Sequence, residues 1–269
     1  MTAISPSLRA FAEEPALTLG PAPPPTRRLL SPRYALELSP TPSQSVTCCV
    51  RATEATLDAT IADVRREVRG YGYTGNVWQV GPSCAPAGLS RLLRERGFQT
   101  VNRPPFEATS TVMALGAAPP PVSTPGIEAR LCANLDEFVE ALRVALDAFN
   151  EPEEAAEGWL AAAPSLWASQ DAVRLFTHIA FLDGRPVGMG FSCASPDGVF
   201  LNGSGVRATA RGRGVYRALL AARYEYAQKI GRPGLAIHAG AMSRPILERC
   251  GFEALCQLEF LEDTGFPNE

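Results

Sequence analysis

The residues best placed to do chemistry lie in one run: Val206, Arg207, Ala208, Thr209, Ala210, Arg211, Gly212, Arg213, Gly214, Val215, Tyr216 and Arg217. An apolar stretch leads in, a basic glycine loop follows, and a helical pattern leads out. That order suits an anion such as a phosphate. The first N–H groups of a helix have no partner within it, and the helix dipole adds partial positive charge at the same end. Gly212 and Gly214 allow close approach and positive φ. Arg211 and Arg213 supply charge that a pyrophosphate or a 3′-phosphate would meet. A Walker loop is excluded, because no Gly-Lys-Ser/Thr is present. A dinucleotide fingerprint is disfavoured, because Arg217 stands where its third glycine belongs. An Arg/Gly surface turn is the bland alternative.

The surrounding elements decide how such a loop would be held. Phe176–Leu182 reads as a strand, Asp183-Gly184 as a hairpin turn and Pro186–Ser192 as the return strand. Pro196-Asp197-Gly198 is a second turn, and Val199–Val206 is a third strand leading into the loop. Downstream, Val215, Leu219, Leu220, Tyr226, Ala227 and Ile230 favour one helix face, with Gly231 and Pro233 as the stop. Leu235–His238 reads as a short strand, Ser243–Cys250 as a helix stopped by Gly251-Phe252, and about Ala254–Leu261 as a last strand.

This order, with Arg211-x-x-Gly214-x-Tyr216 in the loop, resembles the GNAT superfamily of acyl-CoA N-acyltransferases over residues 127–262. Their pyrophosphate loop is usually Gln/Arg-x-x-Gly-x-Gly/Ala, so Tyr216 departs at the last position. The resemblance implies an α/β (α+β) fold, with a mixed, mostly antiparallel sheet flanked by helices. It implies acetyl-CoA as co-substrate, no metal, and a small-molecule amine as acceptor. The cofactor-binding residues would be Val206, Arg207, Ala208, Arg211, Gly212, Arg213, Gly214, Val215, Tyr216 and Arg217.

The same resemblance implies a groove where Val199–Val206 and Leu235–His238 splay apart. Backbone N–H groups near Val206 and Ala208 would hold pantetheine and polarise the thioester. The family commonly places a proton-donating tyrosine four residues before the Gly-Phe, but here that residue is Leu247. The catalytic candidates left are His238, as a base at the splay point, and Ser243, at the start of the short helix. A hydrogen-bonded strand histidine and a plain N-cap are their structural alternatives. His178 and Cys250 read as packing residues. A non-catalytic acyl-CoA-binding or regulatory module is the alternative function that Leu247 keeps open, and a nucleotide-phosphate binder outside the family is a third.

Bulk properties accord with an enzyme. The 269 residues allow one large domain or two small ones. A net charge of −3 argues against a nucleic-acid partner. Seven scattered cysteines, with no Cys-x-x-Cys, suit a reduced cytoplasm and no zinc site. No apolar run is long enough for a membrane span. A homodimer is compatible with all of this.

Residues 117–126, rich in proline, read as an interdomain linker, and residues 1–30 as an extended proline-rich arm. Residues 31–116 hold a fainter copy of the back half of residues 127–269: helix Thr56–Arg69, strand Asn76–Val80, helix Ala85–Arg96 ending at Gly97-Phe98, and strand Thr109–Leu115. The expectation is a tandem protein with a degenerate N-terminal GNAT-like domain that lacks the glycine loop and does not hold CoA. On the acceptor side, Asn134 and Glu137 have capping-box spacing at the first helix. Glu151, Glu153, Glu154 and Glu157 could attract a cation or merely suit a helix start, and Trp159 and Trp167 could wall a pocket or pack.

Overall fold

The computed structural model describes residues 3–22, 26–40, 43–101, 106–121 and 124–266. Pro23, Pro24 and Pro25 of the expected arm, and Val122 and Ser123 of the expected linker, lie outside the described residues. In chain order the N-terminal half contains α1 (Pro6–Glu13), β1 (Arg27–Leu30), β2 (Ala35–Pro40), β3 (Ser43–Cys48), α2 (Leu57–Gly70), β4 (Val77–Val80), α3 (Leu89–Arg94), β5 (Gln99–Thr100) and β6 (Thr109–Leu115). The C-terminal half contains β7 (Ile127–Leu131), α4 (Leu135–Phe149), α5 (Glu153–Val173), β8 (Leu175–Leu182), β9 (Arg185–Ser195), β10 (Gly198–Val206), α6 (Val215–Lys229), β11 (Leu235–Ala239), α7 (Arg244–Arg249) and β12 (Glu253–Glu262).

The strands join one mixed sheet in the order β1-β2-β3-β4-β12-β6-β11-β10-β9-β8-β7, with β5 beside β12. β12 lies between β4 and β6, and β6 lies between β12 and β11. Each half therefore inserts its last long strand into the other. A pseudo-twofold axis between β6 and β12 relates β4 to β11, β3 to β10, and α2 and α3 to α6 and α7. The parallel pairs β3–β4 and β10–β11 obey the same symmetry.

Side-chain alternation along the sheet sets its two layers. On β6, Val112 and Ala114 face α1, while Met113 and Leu115 face the α6–α7 side. Thus α2, α3, α6 and α7 cover one face, and α1, α4 and α5 the other. α3 and α7 end identically. Phe98 N donates to Leu93 O (3.2 Å) and Phe252 N to Leu247 O (3.1 Å), across left-handed Gly97 and Gly251. This six-to-one bond is the Schellman stop, which needs a residue free to take positive φ. Leu93 and Leu247, at equivalent positions, are both fully buried.

Two sequence expectations change. The arm is not simply extended: Ser5 Oγ accepts from Leu8 N (3.2 Å), and Pro6 opens α1, whose Leu8, Phe11 and Ala12 are buried. The expected helix Ala85–Arg96 starts only at Leu89, because Ala85 bonds elsewhere, as described below. The Asn134 cap forms, with Glu137 N donating to Asn134 Oδ1 (3.0 Å). No helix among the described residues is long and apolar enough to cross a membrane.

Candidate active site

β10 ends at Val206, a single 3-10 turn covers Ala208–Ala210, and α6 starts at Val215. Gly212 (φ 74°) and Gly214 (φ 90°) both take the left-handed conformation that reverses the chain. Gly214 is the N-cap of α6, which has no side-chain cap and no acidic residue in its first turn. The first helical bond runs from Ala218 N to Gly214 O (3.0 Å), so the N–H groups of 215–217 point out of the helix end. A Cβ on Gly214 would lie 3.2 Å from Thr124 Cγ2, so the cradle is snug on its linker side.

The loop's arginines divide into two pairs. Arg207 Nη1 bonds Asp147 Oδ2 (2.9 Å), and Arg211 donates to Val206 O (3.1 Å) and Ala148 O (3.3 Å). These two brace the loop on the C-terminal end of α4, whose carbonyls suit a cation. Among the described residues Arg213 reaches only the exposed Asp183, at 4.0 Å. Arg217 lies against the Cys250 thiol at the end of α7. Arg213 and Arg217 are therefore the charges best placed to meet an anion.

The slot beside this loop comes from a short pairing. β10 and β11 pair only through Val199–Leu235 and Phe200–Ala236, after which β10 bulges between Asn202 and Ser204. Arg223, on α6 and 1% exposed, sits beneath that bulge. It donates to Ser192 Oγ (2.9 Å), Ser204 Oγ (2.6 Å), Asn202 O (3.0 Å) and Phe191 O. Gly190 makes room for it: a Cβ there would sit 2.7 Å from the guanidinium carbon. Burial pulls the Arg223 pKa down to about 10, yet it stays protonated at neutral pH. The bulge that opens the slot is thus clamped by a buried cation whose hydrogen-bond acceptors are all neutral.

The pseudo-symmetric N-terminal slot is closed. Val50-Arg51-Ala52-Thr53 repeats Val206-Arg207-Ala208-Thr209, but Glu54-Ala55-Thr56 follows in place of the arginine–glycine loop. There Thr53 and Thr56 form a reciprocal capping box, and Glu54 and Asp58 add negative charge at the helix start. Ala85 N donates to Val50 O (2.9 Å), and Ala52 N donates to Ala85 O (3.1 Å). The loop 81–88 thereby fills the N-terminal slot, whereas the equivalent loop, 240–243, is half as long. Sequence reasoning missed this repeat, although the four shared residues are plain in the chain.

Residues 138–252 match the family model described as the acetyltransferase (GNAT) family. These residues form a GNAT domain. It is an acyltransferase domain, and the whole chain adopts a tandem GNAT fold. No curated protein sequence matches the chain. Among solved structures, a GCN5-related N-acetyltransferase from Kribbella flavida is 18% identical, with TM-score 0.68, covering 98% of this chain and 97% of its own. A tandem GNAT protein from the clavulanic acid biosynthesis pathway is 17% identical, with TM-score 0.63, covering 98% and 95%. A GCN5-related N-acetyltransferase from Sphaerobacter thermophilus is 19% identical, with TM-score 0.62, covering 90% and 83%.

Within the GNAT domain the expected catalytic side chains are already engaged. His238 Nε2 lies 2.8 Å from Ala12 O, and Phe200 meets the ring edge-on at 4.9 Å. A carbonyl only accepts, so Nε2 carries the proton. The ring is enclosed although the residue keeps some exposed surface, and burial pushes its pKa down to about 4 against the pull of the Ala12 and Glu13 carbonyls. Ser243 Oγ bonds Gly240 O (3.3 Å) and makes no cap to α7. Leu247 is fully buried in the cluster with Cys250 and Phe252, against which Tyr216 packs. Tyr216 therefore points inward from the loop, and burial raises its pKa.

His178 is buried against Tyr226, and burial, then Arg223, takes its pKa down to about 3. Trp159 lines a cavity of about 170 Å3 with Phe138, Leu142 and Phe191, while Trp167 packs on Phe138 at 5.6 Å.

Proposed function

We propose that this protein moves an acetyl group from acetyl-CoA to the amine of a small molecule, using one cofactor site at the β10–α6 loop. The observation that carries this reading is the contrast between the two symmetry-related helix starts. The 3-10 turn Glu54–Thr56 that leads into α2 is capped by Thr53, acidic Glu54 and Asp58 sit at this start, and it faces a slot filled by Ala85. The start of α6 has glycine, no cap, no acid in its first turn, and two arginines held only by a 4.0 Å contact to Asp183 and by the Cys250 thiol among the described residues. Free N–H groups beside a left-handed glycine N-cap are what a pyrophosphate needs.

Acetyl-CoA supplies the acetyl thioester. Arg213, Arg217 and the N–H groups of Gly214, Val215 and Tyr216 hold the phosphates in this reading, and Arg207 and Arg211 fix the loop. Val206 O and Ala208 N offer the pantetheine the same pair of bonds that Val50 O and Ala52 N give to Ala85 in the other half. Arg223 holds the β10 bulge and places a positive charge beneath the strand beside which the thioester oxygen would lie. His238 and Ser243 stay as candidate groups at the slot's edge, with Tyr216 packed against the same cluster as Leu247.

A second reading, an acyl-CoA-binding module without turnover, is favoured by Leu247 and by the engaged His238 nitrogen. One experiment separates them: calorimetry with acetyl-CoA, then free-thiol release on addition of an amine panel. Binding with amine-dependent thiol release supports acetyl transfer. Binding with no release from any amine supports the second reading, and no binding removes both.

A further inference from the structure

We infer that the cavity between the two halves takes the acceptor, and that this acceptor is a small, weakly basic aromatic amine. The inference rests on the acetyl-transfer reading above. The cavity, of about 290 Å3, opens where β10 and β11 stop pairing: Phe200, Leu201, Asn202, Gly203 and His238 form one wall. The N-terminal half forms the other wall with Glu37, Val46, Cys48, Cys49 and Gln79. Phe106, Phe200 and Phe260 contribute three aromatic rings. The volume is at the low end for ligand cavities, about 300–1,000 Å3, and suits one or two rings.

The lining sets the protonation state of what enters. Among the described residues that line it Glu37 is the only carboxylate, and Arg28 Nε already pairs with it at 2.7 Å. His238 is neutral, with its Nε2 proton committed to Ala12 O. The neighbouring Cys49 and burial hold the Cys48 thiol well above its usual pKa, so it stays protonated. An ammonium ion entering this space would lose its water and meet no uncompensated anion, which penalises the charged form. A strongly basic amine would therefore enter rarely, while an amine already neutral at pH 7 enters at no such cost. Its nitrogen lone pair attacks the thioester carbonyl carbon and the C–S bond breaks. The sulfur leaves with the bonding pair, and the proton lost from nitrogen neutralises the thiolate through solvent, giving the amide and free CoA thiol.

The test uses the full chain with acetyl-CoA and three acceptors at pH 7: 4-methylaniline, 4-methylcyclohexylamine and spermidine. The expected kcat/KM for 4-methylaniline is at least tenfold above that of the strongly basic amine of the same shape, with spermidine lowest. Val46→Trp, which fills the cavity from the N-terminal wall, should raise the KM for 4-methylaniline at least tenfold and leave acetyl-CoA affinity unchanged by calorimetry. If that variant does not fold, Gln79→Glu serves instead, and it should shift preference towards 4-methylcyclohexylamine. Preference of the unaltered chain for spermidine or the cyclohexyl amine overturns the inference, as does unchanged selectivity in the variant. Absence of saturable 4-methylaniline binding to a chain that does bind acetyl-CoA also overturns it, while the cofactor assignment stands. Failure to bind acetyl-CoA removes the cofactor assignment and this inference together.

Discussion

Placing a carboxylate at each end of α6 separates cofactor binding from stability. Gly214 (φ 90°) and Gly231 (φ 69°) flank the same helix in left-handed conformations. Replacing either by glutamate costs about 1–2 kcal/mol for a side chain in that region. The helix dipole then acts in opposite directions: a carboxylate gains about 0.3–1 kcal/mol at the N-terminus and loses a similar amount at the C-terminus. Gly231 has open space around its Cβ position, and the 3.2 Å contact of Gly214 is with the end of the Thr124 side chain. Gly214→Glu should therefore be about 0.6–2 kcal/mol more stable than Gly231→Glu.

Binding should rank the other way. A carboxylate about 4 Å from a phosphate repels it by about 4 kcal/mol at an effective dielectric of 20, about a thousandfold in affinity. Urea melts and acetyl-CoA calorimetry on both variants read the two quantities. Gly231→Glu should bind as the unaltered chain does, while Gly214→Glu should not bind. Equal affinities in the two variants would refute the placement of the phosphates at the start of α6.

Arg223→Met should cost about 1–3 kcal/mol in urea unfolding, because it removes the donor from part-buried Phe191 O and Asn202 O; an unchanged melt would contradict the clamp. The two histidines give a pH prediction. Both have folded pKa values below the usual 6.5, so the unfolded chain binds more protons than the folded one between about pH 6 and 4, approaching two near pH 5. Stability should hold from pH 8 to 7 and then fall as the pH drops, at up to about 2.7 kcal/mol per pH unit; a flat profile between pH 6 and 5 would show that the histidines are not buried neutral. His238→Ala should lower turnover much more than acetyl-CoA affinity, and unchanged turnover would confine His238 to anchoring α1.

The parts of the fold governed by local pattern were legible. Period-two strands gave β8, β9 and β10, and the Gly-Phe stops gave α3 and α7, because a Schellman end is written in adjacent residues. The helix α1 was missed because a segment bounded by Ser5, Pro6 and Pro15 leaves few positions for periodicity, although Ser5-Pro6 is itself a start signal. The exchange of β6 and β12 leaves no local trace, since either strand would read the same at the edge of its own half. For the site, the glycine loop was legible from residue types, while the division of its four arginines depended on α4, far away in sequence. Arg223 was invisible: an arginine on an amphipathic helix reads as exposed until the bulge it supports is known. The repeat of Val-Arg-Ala-Thr was available and would have located the closed slot directly.

The central claim is a single acyl-CoA site, at the β10–α6 loop, with its twin filled by the chain itself. Calorimetry of the unaltered chain with acetyl-CoA tests it most directly. The account predicts saturable binding with one molecule per chain. Two molecules per chain would contradict the closure by Ala85, and no binding would contradict the loop's role.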